Sequence, residues 1–191
     1  MTSMHKLSHL VAEEWQPHSH QAFFRHEVIA GDTHRIEAGV PHGDASVFEA
    51  VTSCMEPPYL LLYILHTPRG EGAAGRYTST EMSCDEFRRF IATFKDYLQA
   101  DGRFDLWSHS PSDGSTVVWD RHNQLYAYGN LPQFSSQLLT LGFAEGEIAP
   151  LGAHMHHYRV AFDSDARALL DFCPWHHSEL RPEDEQRQTT P

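Results

Sequence analysis

The stretch that most constrains how this chain can fold is residues 83–102, "SCDEFRRFIATFKDYLQADG". Ser83 followed three residues later by Glu86 is a capping box: the serine oxygen accepts from the Glu86 amide and the glutamate reaches back. Phe87, Phe90, Ile91, Phe94 and Leu98 then recur at steps of three and four, which makes one apolar stripe. Gly102 is expected to end the helix in the left-handed conformation. A long helix with a single stripe needs a surface to lie on. The flanking sequence offers short strand-like runs for that purpose.

"ASVFEAVTSC" (45–54) reads as a strand ended by Glu56-Pro57-Pro58, and "YLLLYILH" (59–66), apolar on both faces, as a central strand covered on both sides. Three more strands are expected over 103–110, 115–120 and 124–129. Asp113-Gly114 and the polar turn Asp120-Arg121-His122-Asn123 separate them. A second helix is expected over 131–141, capped by Asn130, with Pro132 in its first turn, Phe134, Leu138 and Leu141 facing inward, and Gly142 as its stop. The order β-β-α-β-β-β-α predicts an α+β fold with a largely antiparallel sheet and helices packed on one face. Residues 1–44 read as a histidine-rich N-terminal extension and 45–178 as a single α+β domain, best defined over 45–143. That domain includes a short helix within 163–173, closed by Pro174. Residues 179–191 read as a disordered polar tail.

Charge and cysteine usage narrow the setting. A formal charge of −12, with Lys6 and Lys95 the only lysines, argues against a nucleic-acid or anionic-membrane surface and leaves a protein partner or a homo-oligomer. Glu13 and Glu14 interrupt any leader-like apolar run, and no segment approaches the ~18 apolar residues of a membrane span. Cys54, Cys84 and Cys173 form no C-x-x-C pair, so a reducing, cytoplasmic location is expected.

Gly70, Gly72 and Gly75 spell G-x-G-x-x-G directly after an apolar run, as in a dinucleotide-binding turn. That turn should open straight into a helix. Here Arg76, Tyr77 and Thr78 favour extended backbone, and the helix start waits until Ser83. The stretch is therefore expected to be an exposed, mobile loop bracketed by Arg69 and Arg76, and no nucleotide cofactor is expected.

Two constellations carry chemistry. The chain has fifteen histidines. On an extended strand His154 and His156 face the same side and can present two imidazoles to one divalent metal such as zinc, with His176, His177 or Asp163 as a third ligand. The second constellation is the turn Asp120, Arg121 and His122. If His66 and His109 end strands beside it, an Asp120–His122 pair can act as a general base while Arg69 or Arg121 neutralises an anion. In the plainer reading Asp120 and Asn123 only shape the turn. With no H-E-x-x-H and no G-x-S-x-G, the leading expectation is a binding or regulatory protein. The alternative is a small enzyme, either metal-dependent through the histidines or acid–base through Asp120 and His122.

Overall fold

The Ser83–Glu86 capping box forms as its spacing predicts: the Ser83 amide donates to Glu86 Oε2 at 2.8 Å, and Ser83 Oγ accepts from the Glu86 amide at 3.3 Å. This computed structural model describes residues 4–29 and 31–184. In chain order the elements are β1 (Leu7–Val11), β2 (Glu14–Pro17), β3 (Phe23–Val28), β4 (His34–Gly39), α1 (Ala45–Thr52), β5 (Leu60–Leu65), β6 (Gly75–Ser79) and α2 (Cys84–Ala100). There follow β7 (Phe104–His109), β8 (Thr116–Trp119), β9 (Gln124–Tyr128), α3 (Leu131–Thr140), β10 (Ala144–Glu145), β11 (His154–His156), α4 (Asp163–Leu170) and β12 (Trp175–Ser178).

The main sheet has nine strands in the order β10-β3-β4-β9-β8-β7-β5-β6-β12, antiparallel throughout except for the β10–β3 edge. The fold is α+β. One face of the sheet, carrying Ile36, Tyr63, Leu106, Val117 and Leu125, forms a single core with Phe48 of α1, Phe90 of α2, Phe134 of α3 and Leu169 of α4. Along each strand the alternate residues point to the other face. A second, three-stranded sheet, β11-β1-β2, sits across one end of the main sheet, where the Gly102 amide donates to His157 O and the Arg159 amide to Asp101 Oδ2.

Several expectations are corrected. The stretch 45–54 is no strand: residues 45–52 form α1, because the Asp44 carboxylate caps the Ser46 amide at 2.9 Å and Val47, Phe48 and Val51 fall on one helical face. From there the order is α-β-β-α-β-β-β-α, the additional strand being β6. Residues before 45 are not peripheral: β3 and β4 are interior strands, with Phe24, Ile36 and Ala38 fully buried. Leu141 is 38% exposed, since α3 has ended before it. Gly102 does not adopt the left-handed conformation. Asp101 instead turns extended so that its carboxylate can grip Arg103 with two bonds, at 2.8 and 2.9 Å.

The glycine motif closes the β5–β6 hairpin, an antiparallel connection, so the strand–turn–helix of a dinucleotide fold is not what these residues build. Arg69, Gly70 and residues 72–74 are exposed, as expected, but the loop is tied down at two points. The side chain of Glu71, 1% exposed, accepts from Arg103 Nη1 at 3.0 Å, and the Tyr77 hydroxyl donates to Ala73 O at 2.7 Å. Of the tail expected from residue 179, Pro182–Asp184 forms a 3-10 turn against the sheet with Asp184 buried; residues 185–191 lie outside the described residues. Among the described residues no helix is long and apolar enough to cross a membrane.

A candidate metal centre at one end of the sheet

The turn from β8 to β9 is shaped by Asp120. Its Oδ1 accepts from the amides of His122 and Gln124, both at 2.9 Å, and Asn123 takes the left-handed conformation that the tight reversal requires (φ 59°). The same carboxylate reaches the His122 ring, where Nδ1–H donates to Oδ2 at 3.1 Å. This fixes the tautomer and leaves His122 Nε2 as the free lone pair.

Across from it lies β11, held against β1 in the register Leu7↔His156 and His9↔His154. The period of two brings the imidazoles of His154 and His156 to one side, and the His122 ring closes the group. Ring centroids are 5.0 Å apart for His122–His154, 4.9 Å for His122–His156 and 5.4 Å for His154–His156. One ligand nitrogen from each of the three lies within 4.8 Å of the others. His154 Nδ1–H donates to Gly152 O at 2.8 Å, so its Nε2 is also the free atom.

His156 is kept neutral: burial first, then its neighbours His122, Arg121 and His154, lower its pKa to about 3. Its Nδ1 is buried without a hydrogen-bond partner. It sits so close to Gly102 that a Cβ there would lie 3.1 Å from His156 Cβ. The glycine after α2 therefore serves close approach. Three imidazoles facing one point, two of them oriented by outer acceptors, make a ligand set suited to zinc or a similar divalent ion.

More histidines surround this group. His20 donates through Nε2 to His122 O at 2.9 Å, and the His18 ring stands edge-on to His20 and to His9 at 4.5 and 4.7 Å. Burial, followed by the charges of His20, His9 and His154, lowers His18 to about 4.

Other residues marked by the sequence disperse. His66 ends β5 at this same end of the sheet, but its Nε2 donates to Asp105 Oδ2 at 2.8 Å, while the Arg121 amide donates to Asp105 Oδ1 at 2.7 Å. Asp105, not singled out in the sequence, is thus the partner of two residues that were. Its position in β7, one residue before a core-facing leucine, is the signal that could have found it. His109 lies at the opposite end of β7, where its Nδ1 meets Thr116 Oγ1 at 2.9 Å. Arg69 pairs with Asp163 at 3.0 Å, which occupies both. His176 and His177 lie on the edge strand β12, paired with Thr78 and Tyr77, and do not join His154 and His156. The third member of the cluster is His122, a residue that the sequence assigns to acid–base chemistry.

No family model matches the chain, and no curated protein or solved structure is significantly similar to it.

Proposed function

We propose that the protein binds one divalent transition-metal ion, zinc foremost, through His122, His154 and His156, and that it is a metal-dependent enzyme. The observation that carries this reading is the convergence of three ring nitrogens from two separate parts of the chain, with Asp120 and Gly152 fixing two of the tautomers. Three protein ligands leave a coordination position for water or substrate, the arrangement by which zinc lowers the pKa of a bound water or polarises a carbonyl. On this reading Asp120 and His122 act together as an orienting carboxylate and a ligand, in place of a free general base. Three unpaired cysteines fit a reducing, cytoplasmic setting.

Cobalt(II) added to metal-free protein tests it. Four-coordinate cobalt should give intense visible d–d bands in the wild type that His156→Ala removes. Weak six-coordinate bands, or intense bands that survive His156→Ala, would refute the assignment.

A second reading, a binding protein, draws on a different feature: a cleft of about 400 Å³ on the sheet face opposite the helices. That is within the size range of small-ligand pockets.

A further inference from the structure

The cleft on the open face holds none of the three histidines and meets the candidate metal centre only at Asp120. Its floor is laid by alternate residues of β5, β7, β8 and β9, with Ile64 and Val118 as apolar surface and Trp107 and Tyr126 as aromatic surface. The C-terminal turn Pro182–Asp184 supplies a wall, held down by the ion pair between Arg76 and Asp184. Asp105 and Asp120 stand at the end nearest the histidines, and Glu183 lies on the wall.

Charge and ring chemistry together indicate what would fit. Four carboxylates line the cleft (Asp105, Asp120, Glu183 and Asp184) against two guanidinium groups that are already paired, Arg35 with Glu27 at 2.8 Å and Arg76, beside the wall, with Asp184. Burial first, then the charges of Asp120 and Glu37, push the pKa of the Tyr126 phenol far above the usual tyrosine value. The aromatic surfaces already hold guanidinium groups. Arg35 sits 4.4 Å from the Tyr126 ring centroid and Arg76 sits 5.9 Å from that of Trp107. A cation over a ring is therefore the contact that these walls make with the chain's own side chains. The Trp107 indole N–H is buried without a hydrogen-bond partner.

We infer that this cleft binds an organic cation, an ammonium or guanidinium group carried on an apolar or aromatic body. The inference rests on reading the cleft as a ligand site and owes nothing to the metal. The cationic head would meet Asp105 and Glu183, and the body would lie on Trp107, Ile64 and Val118.

Calorimetric titration of the full chain, stripped of metal with a chelator, tests this with three probes of one shape: benzamidine, benzamide and benzoate. Benzamidine should bind at least about tenfold more tightly than benzamide, equivalent to about 1.4 kcal/mol, and benzoate should show no heat of binding. Trp107→Leu should abolish benzamidine binding. Glu183→Gln, at an exposed position that should not disturb folding, should weaken it several-fold. Benzamide binding as tightly as benzamidine, or benzoate binding more tightly, would overturn the charge preference and leave a ligand cleft of another kind. No binding of any probe at millimolar concentration would overturn the cleft reading itself. Because the protein is metal-free, neither result bears on the histidine centre.

Discussion

Asp120 shows how much one side chain can carry. One oxygen holds the β8–β9 turn through two amides, and the other orients the His122 ring. These roles separate in Asp120→Asn. The amide oxygen can still accept from the turn's backbone, but an NH₂ then faces His122 Nδ1 and disfavours the tautomer that frees Nε2. Zinc affinity should fall roughly 10–100-fold; competition against a chromogenic chelator measures it. Lys6 supplies a prediction about pH. Its ammonium is fully buried without a hydrogen-bond partner, 4.0 Å from the Trp119 ring centroid, and burial lowers its pKa to about 8 despite the nearby Asp120, Asp105 and Asp101. The unfolded chain keeps this proton until about 10.5. Between these values the unfolded state binds more protons, so stability rises as pH rises. Relative to Lys6→Met, which has no proton to lose, the wild type should gain about 1–2 kcal/mol between about pH 7.5 and 9.5. Urea titrations at both pH values check this, and parallel pH dependence in the two proteins would contradict it.

At the scale of elements, the β5–β6 hairpin depends on one guanidinium. Arg103, fully buried, binds Asp101 bidentately and also reaches Glu71 and Asp163, tying the glycine loop, the end of α2 and the start of α4 together. Arg103→Gln leaves Asp101 and Glu71 buried without their countercharge and should cost about 3–5 kcal/mol. It should also make the peptide bond after Arg69 a fast trypsin site. An unchanged denaturation midpoint would mean that the network is solvated. The network was invisible in the sequence, because Gly70, Gly72 and Gly75 read as punctuation and nothing local predicts that Glu71 folds inward. α2 and α3 were legible because cap and stripe agree within one segment. Residues 45–54 were not, since a two-turn helix with Val at 47 and 51 also satisfies a strand's alternation, and its Asp44 cap lies just outside the run.

At the scale of the molecule, the candidate centre joins two sheets: His122 belongs to a turn of the main one, His154 and His156 to the three-stranded one. Half of it was legible. The H-x-H spacing on a strand shows that two imidazoles share a side, but the third comes from far earlier in the chain, and only the docking of β11 beside the β8–β9 turn brings it in. A metal there should act as a clasp between the sheets. At a zinc concentration about a hundredfold above Kd, linkage gives ~2.7 kcal/mol, which corresponds to roughly 5–10 °C in melting temperature for a chain of this size.

Fifteen histidines can scavenge metal nonspecifically, so the deciding measurement is zinc content and melting temperature determined together. The samples are tag-free protein passed through gel filtration as wild type, His154→Ala/His156→Ala and His176→Ala/His177→Ala. The wild type and the His176/His177 variant should each retain roughly one equivalent of zinc and lose the thermal gain on chelation. The His154/His156 variant should retain none and melt where the chelated wild type does. Equal zinc in the wild type and the His154/His156 variant, or loss confined to the His176/His177 variant, would contradict the metal centre.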